Sequence, residues 1–575
     1  MWGAMLLTFF TLQSSLFVLS SCSETDSTLV EYVDDNKLNT PNDTIYSLMG
    51  IINKMQVIAD RTILLGEVRG DLAQMTDAAE LDLQDIANFE VKANNPYNNA
   101  RDYYAIIQNC NYYIANADTT LTKRGEKVFE KELAVVRTYR AWTYMQLALN
   151  YGKVPFYTKP ILSEKDADPS LYPSYGIEEI ADYFIKELAP LVDVKTPSYG
   201  VVGDYINSEK FYIPVRVLLG DLCLWAGRYR EAAAYYHDFL TDKNDPLPIG
   251  INNTVEWTDL DFQSLRSSYA SQWYTKNVGE NTFAVIPMAE TEYEGIRSYL
   301  EEIFCSTYDN DGFYQFTRSG AYKELSAAQK YVMVVTDPTT QLRDTISPSP
   351  DKIYTDDIMK GDLRLYGYYT LKSRSTTSET QNKYSQVISK FNCENYVALY
   401  RLPQIYLRYA EALNCAGIPE AAFAVLKYGI CRDNLIRTVK DEDGETMNID
   451  LLSPETRAKA GTLIDFSEYY FTASNTMGIH SRGCGEAGAD AAYSIPDLPT
   501  LEDSIRFVDD KLCDEMALEM AFEGSRFYDL MRFSLRRSDP QFLARKVASR
   551  RGAANFDEVM FTKLSDKKNW YLPLE

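Results

Sequence analysis

Histidine is almost absent from this chain: His237 and His480 are the only two in 575 residues. No HExxH or other zinc spacing can be built from them, and His237, after Tyr235-Tyr236 in a helical stretch, reads as a packed or surface side chain. No GxSxG segment is present, which excludes the serine elbow of the α/β-hydrolases. Positive charge is scarce: 58 Lys and Arg stand against 82 Asp and Glu, a formal net charge of −24. Such a surface repels phosphate, which argues against nucleic acid as a partner and against docking on anionic lipid through protein charge. Cysteine occurs nine times but never as CxxC. Apart from Cys22, the eight (Cys110, Cys223, Cys305, Cys393, Cys415, Cys431, Cys484 and Cys513) show no repeated spacing. Several lie among apolar helical residues, as in Leu222-Cys223-Leu224, and they read as buried thiols rather than a disulfide frame.

Two near-matches to ligand motifs fail on context. Gly483-Cys484-Gly485-Glu486-Ala487-Gly488 has the letters of GxGxxG, but it follows His480-Ser481-Arg482 rather than a strand, and a Gly/Ala/Asp loop comes after it. Asp309-Asn310-Asp311-Gly312 has the look of a calcium loop. With Gly312 at the turn, the first ligand position falls on Thr307 and the last on Arg318, where Glu is required. The 82 acids give many accidental pairs, so no carboxylate pair for glycoside hydrolysis is singled out. The sequence assigns no catalytic residue, no metal ligand and no cofactor.

Long apolar runs are confined to the start. Residues 1–21 carry no charge, 4–19 are mostly apolar, and the run is short for a membrane span. No Lys or Arg precedes the apolar core. It ends in Leu19-Ser20-Ser21-Cys22, which is similar to a bacterial lipobox. Residues 1–21 are therefore expected to be a lipoprotein signal peptide and Cys22 the lipidated residue. An acidic tether, Ser23-Glu24-Thr25-Asp26-Ser27-Thr28, opens the segment 22–43.

The remainder has ordinary globular composition, 45% hydrophobic and 24% charged, with 43 tyrosines. Helical periodicity predicts one long helix over 126–151, closed by Gly152 and Pro155. It also predicts two helical hairpins. The first pairs 212–226 with 229–240 across Gly227-Arg228. The second pairs 402–416 with 420–431 across Gly417-Ile418-Pro419. Each long helix ends in Ala-Gly and each return helix opens on Glu-Ala-Ala, at Glu231 and Glu420. This layout resembles the tetratricopeptide hairpin, whose stacking buries a face that one hairpin cannot bury alone. By contrast, 243–400 and 437–500 are rich in Tyr, Thr, Ser, Asn, Asp and Gly and have little helical period, with strand-like runs at 282–288 and 331–336. The expected fold is mainly α: tetratricopeptide-like helical hairpins forming a scaffold with long irregular insertions. Two regions are expected, 44–242 and 243–575, and the insertions are expected to face ligand.

Four segments, in order, resemble the SusD/RagB family of outer-membrane nutrient-binding lipoproteins. They are Arg137-Thr-Tyr-Arg140-Ala141-Trp142-Thr-Tyr144 running on to Asn150-Tyr151-Gly152-Lys-Val154-Pro155; Ala410-Glu411-Ala412-Leu-Asn414; Glu519-Met-Ala-Phe522-Glu523-Gly524-Ser-Arg526-Phe-Tyr-Asp529-Leu530-Met-Arg532; and Trp570-Tyr571-Leu572-Pro573. Asp514-Glu515-Met516 departs from the family's frequent Glu-Arg, and the chain stops soon after Pro573. Helical spacing suggests that Glu519, Glu523, Arg526 and Arg532 pair among themselves, a structural role.

The resemblance implies a surface-exposed lipoprotein, lipid-anchored in the cell outer membrane, that binds rather than catalyses. It would act as the lid of a SusC-like TonB-dependent transporter and take an oligosaccharide or polysaccharide fragment, less often a peptide. A glycan site needs aromatic platforms and hydrogen-bonding side chains, without tuned acids or bases. The implied loops contribute Asn42, Asp43, Asp71, Phe89, Tyr97 and Asn98 from the N-terminal part, and Trp273, Tyr274, Tyr308, Tyr314, Arg364 and Tyr396 from the middle. Asp71, next to Gly70, is expected on an exposed loop, and Trp273 in a polar stretch is expected to be free to stack. Other readings are an extracytoplasmic tetratricopeptide-like adaptor that binds protein, and a secreted hydrolase.

Overall fold

The computed structural model describes residues 43–574, apart from 203–205, 243–250, 269–278, 280, 306–313, 350–359, 368, 375–382, 392–394, 431–435, 441–445, 451, 467–470 and 472–475. The expected mainly α architecture is present. Helix α1, Asp43–Glu67, buries Leu48, Ile51, Ile52, Met55, Ile58, Ala59 and Ile63, the three- and four-residue spacing of one helical face. It packs on α2, Ala100–Asn116, and on α3, Glu130–Tyr151, which is buried on nearly every side. Next comes α4, Ile177–Leu188. It turns Ile180, Ala181, Phe184, Ile185 and Leu188 inward, with Glu178 and Glu179 in its first turn and Lys186 in its last. That charge order suits the helix dipole.

Both predicted hairpins form. In the first, α5, Val215–Trp225, and α6, Tyr229–Leu240, meet at Gly220, where a Cβ would lie 2.4 Å from the Tyr236 ring. In the second, α7, Leu402–Cys415, turns through Gly417 (φ +79°) into α8, Pro419–Tyr428. The small residues Ala232, Ala233, Ala421 and Ala422 are all buried, and α6 packs on α7, so the hairpins stack side by side. The C-terminal helices cover them: α9, Leu501–Met520, lies against α7 and α8, followed by α10, Arg526–Arg536, α11, Pro540–Ala548, and α12, Glu558–Leu564. One continuous apolar core runs from Leu48 to Leu572.

Some boundaries differ from expectation. The long helix starts at Glu130, because Glu126–Lys127 instead pairs with Thr122–Lys123 as a small hairpin. The helix expected from Tyr212 begins at Val215, after a 3-10 turn at Ser208–Phe211 and Pro214, whose ring suits a helix start. The return helix expected to reach Cys431 stops at Tyr428. Gly429 follows with φ +86°, and a Cβ there would meet the Met477 carbonyl oxygen at 2.5 Å. The irregular middle is fastened to the scaffold by two-stranded antiparallel sheets. Strand β1, Ala73–Met75, and β2, Thr282–Pro287, each find a distant partner: β1 pairs with β3, Phe316–Arg318, and β2 with β4, Tyr396–Arg401.

Candidate functional site

The residues that carry the motifs build the fold rather than a site. Glu67, at the end of α1, accepts the backbone N–H groups of Phe522 (3.1 Å) and Gly524 (2.9 Å). A Cβ on Gly66 would sit 1.7 Å from the Gly524 carbonyl oxygen, so helix and turn touch backbone to backbone. Phe522-Glu523-Gly524 is thus a tight turn between α9 and α10, with Phe522 at φ +68° and Gly524 at φ +85°, and not helix. The charged side chains around it do not pair among themselves as the helical spacing suggested. Glu519 takes Arg401 (2.6 Å), Arg364 (3.1 Å) and Arg482 (3.1 Å). Glu523 takes Lys390 (2.5 Å) and Arg401 (2.6 Å), and Arg526 takes Asp71. Arg532 alone keeps a near partner, Asp529 (2.8 Å), beside Glu411 (2.7 Å). The other motifs behave likewise. Arg140 holds Asn111 and Glu187; Asn150 Oδ1 accepts from Arg69 and Tyr528; Trp570 donates to the Leu564 carbonyl oxygen. Gly483, from the GxGxxG letters, lies in a short helix, Ser481–Cys484, with Asp362 packed where a Cβ would go.

Among the described residues, two small cavities, of about 40 and 70 Å3, lie near Gln404 and have room for a few water molecules. A surface cleft is larger, about 300 Å3, at the low end of the size range for small-molecule sites. Its wall is the turn leading into α2, with Asn94, Asn95, Pro96, Asn98, Asn99 and Arg101, and Pro573 from the C-terminal segment closes it. The turn is held by its own amides. Asn95 Nδ2 donates to the Asp82 carbonyl oxygen (2.8 Å), Asn95 Oδ1 accepts the Tyr97 N–H (3.0 Å), and Asn99 Oδ1 caps α2 by accepting the Arg101 N–H (3.1 Å). Arg61 reaches from α1 to the Asn99 carbonyl oxygen (3.2 Å). Asn98 is different. It is 8% exposed, and its Oδ1 has no hydrogen-bond partner among the described residues.

No family model matches the sequence, and no curated protein matches it. Solved structures do match in three dimensions. A SusD superfamily protein from Bacteroides thetaiotaomicron superposes with a TM-score of 0.51 at 17% identity, covering 92% of this chain and 98% of that one. A SusD superfamily protein from Bacteroides vulgatus gives 0.53 at 11% identity, over 92% and 97%. A SusD-like carbohydrate-binding protein from Bacteroides fragilis gives 0.52 at 13% identity, over 89% and 88%. The chain has the SusD-like fold. Its hairpins, covering helices and inserted middle are the parts of that fold, and the motif residues described above join them to one another.

Within the SusD-like fold the residues expected at the site scatter. Asn42, Trp273, Tyr274 and Tyr308 lie outside the described residues, as does everything before Asp43, including Cys22; Asp43 opens α1. Asp71 is not on an exposed loop. It is 3% exposed and gripped by Arg526 through Nε (2.6 Å) and Nη2 (2.9 Å). Burial alone would raise its carboxyl, but the Arg526 charge and hydrogen bonds hold it below the ordinary carboxylate range. Arg364 is also fully buried, between Asp362 (2.6 Å), Glu515 (2.8 Å) and Glu519. Phe89, half-buried at φ +56°, packs its ring against Phe527 at 5.6 Å. Tyr314 is half-buried, and its carbonyl oxygen accepts from Thr76 (2.8 Å). Tyr396 begins β4 and lines the smallest cavity beside Lys390 and Glu523. Tyr97 is half-buried, its hydroxyl donating to Glu80 (2.5 Å); burial and that carboxylate both push its phenol upward. Of the eight that are described, Asn98 alone lines the surface cleft. The sequence reading passed over Asn94, Asn95, Arg101 and Pro573. The run Asn94-Asn95-Pro96-Tyr97-Asn98-Asn99 just before an amphipathic helix was the available signal, since so many amides exceed what one helix cap requires.

Proposed function

We propose that the protein is a surface glycan-binding lipoprotein that captures oligosaccharide or polysaccharide fragments and delivers them to a SusC-like TonB-dependent outer-membrane transporter. The observation that carries this reading is the amide-walled cleft, with Asn94 exposed in its wall, on a fold shared with a carbohydrate-binding protein. Sugar hydroxyls both donate and accept, and side-chain amides match them without any tuned acid or base, so the site binds and does not cleave. An adaptor role is less well supported, because α9 already covers the second hairpin. No helix among the described residues is long and apolar enough to cross a membrane, and attachment is assigned to lipid on Cys22.

Affinity electrophoresis of the mature protein against a polysaccharide panel tests capture. Retardation by at least one glycan, without shortening of that glycan on long incubation, is expected; released fragments would make the protein a hydrolase, and no retardation by any glycan would count against capture. Cys22→Ala is expected to leave the protein folded but out of the membrane fraction. Its persistence there without the transporter would contradict lipid anchoring.

A further inference from the structure

The loop from β2 to the short helix Leu300–Cys305 turns its large apolar side chains into water. Tyr293 is fully exposed, and Ile296 and Tyr299 are exposed beside it in sequence. Such groups gathered on one short loop mark a docking surface. The loop is built rather than slack. The Ala289 N–H donates to the Ile296 carbonyl oxygen (2.9 Å), and Thr291 ties Glu294 twice, through its carbonyl oxygen (3.1 Å) and its hydroxyl (3.0 Å). Tyr299 is fixed further. Its hydroxyl donates to Glu292 (2.8 Å), and the Arg297 guanidinium lies over its ring, 4.7 Å from the centroid. The ring is still 46% exposed, so it is presented to solvent in a set orientation, which lowers the entropy cost of binding.

This loop is a neighbour of the amide cleft through α1. Val57, Asp60 and Arg61 share one face of that helix at three- and four-residue spacing, and Val57 is exposed. Asp60 accepts the Ser298 hydroxyl (2.6 Å) and the Tyr299 N–H (2.8 Å), so it holds the loop. Arg61 donates to the Asn99 carbonyl oxygen (3.2 Å) and to Asp102 (2.5 Å), so it holds the turn that walls the cleft. Consecutive residues of one helix thus fasten the two surfaces side by side. Charge restricts what the loop can take. Glu290, Glu292 and Glu294 are exposed around the rings, and the one cation of the loop, Arg297, is paired with Glu302. Such a rim repels carboxylate and sulfate and offers acceptors to hydroxyl groups. It also breaks up the continuous apolar centre that a protein interface buries. A sugar ring suits it, with one apolar face for a tyrosine and hydroxyls at its edge.

We propose that loop 289–299 is a second subsite beside the cleft, on which Tyr293 and Tyr299 stack the rings of a neutral oligosaccharide whose other end lies among the cleft amides. The proposal rests on the glycan-capture reading and narrows it to uncharged chains of several sugars. A disaccharide fills the cleft and leaves the tyrosines bare. An acidic chain meets the three glutamates.

The test is calorimetric titration of the mature protein with neutral malto-, cello-, xylo- and manno-oligosaccharides, from disaccharide to hexasaccharide, and with oligogalacturonate. Wild type is expected to bind at least one neutral hexasaccharide about tenfold more tightly than the disaccharide of its series. Tyr293→Ala and Tyr299→Ala are each expected to remove most of that gain and to leave the disaccharide affinity unchanged. Tyr293→Phe is expected to keep the gain, because stacking needs the ring and not the hydroxyl. Tyr293→Ala should also keep the melting temperature, since the ring it removes is fully exposed. The second subsite is overturned if both alanine variants bind the hexasaccharide as tightly as wild type, if no neutral series gains with length, or if oligogalacturonate is preferred. Each of those results leaves capture by the cleft standing. Capture itself is overturned by the separate result that no polysaccharide retards the wild-type protein.

Discussion

Replacing Asp71 with alanine should damage the fold and spare the ligand site. The carboxylate receives two hydrogen bonds from Arg526, at 2.6 and 2.9 Å, and Arg526 Nη1 donates to the Cys513 carbonyl oxygen at 3.0 Å. Arg526 is 2% exposed, so in Asp71→Ala a guanidinium stays buried with its charge unanswered. Breaking a buried pair from one side costs about 3–5 kcal/mol, most of it the stranded charge. The backbone around Asp71 is otherwise well tied: Ser319 Oγ donates to the Asp71 carbonyl oxygen at 2.6 Å, and Arg69 donates to the Trp570 carbonyl oxygen at 3.0 Å. The loss should therefore appear as a lower melting temperature and not as a rearranged loop. Adding Arg526→Met to Asp71→Ala should restore part of the stability, because the uncompensated charge is then gone. Thermal melts of the four proteins of this cycle, with glycan titrations below the lowest melting temperature, make the measurement. A folded Asp71→Ala that melts like wild type and has lost its glycan would refute the reasoning.

Two further outcomes follow from the same network. Glu523→Ala removes the carboxylate from Lys390, whose ammonium is already pulled down to about 8 by burial and keeps the Ala521 carbonyl oxygen, and takes two hydrogen bonds from Arg401; it should cost about 3 kcal/mol in a melt and leave glycan affinity intact. Acid should unfold the protein steeply. Burial alone would raise Glu411 and Glu515, but Arg532 and Arg536 hold the first at about 2, and His480 and Arg364 hold the second at about 2. Both folded values lie below the ordinary 4.5, so their contribution is complete above about pH 4.5 and is lost as pH falls toward 2. A flat melting temperature between pH 5 and pH 2.5 would contradict that linkage.

The scaffold was legible because helical periodicity and turn chemistry are local. The α6 helix, 229–240, matches residue for residue, and Gly152 closes α3 as expected. What misled was charge. Asp71 beside a glycine reads as solvated when its partner, Arg526, lies 455 residues away and cannot be seen along the chain. The same holds for Arg364 and for Glu519, whose partners include residues over a hundred positions distant, Glu519 for Arg364 and Arg401 for Glu519. The motif run at 519–532 was readable as structural, but its helical spacing pointed to neighbours, whereas across the turn at Phe522-Glu523-Gly524 Glu519 and Glu523 both reach Arg401 and Arg526 reaches Asp71. The cleft was half-legible. Asn98 was picked out through the family resemblance, while nothing along the chain marked Arg101, and Pro573 comes from a distant segment tied down by the Leu572 N–H bond to the Asn150 carbonyl oxygen at 2.8 Å.

The central claim is that the amide cleft before α2 holds the glycan. Its most direct test is calorimetry on wild type and Asn94→Ala with an oligosaccharide cut from whichever polysaccharide retards the wild-type protein. Loss of one hydroxyl-to-amide contact should weaken binding about tenfold, with the melting temperature unchanged because Asn94 is exposed. Equal affinity of the two folded proteins would contradict the account and move the site elsewhere on the surface.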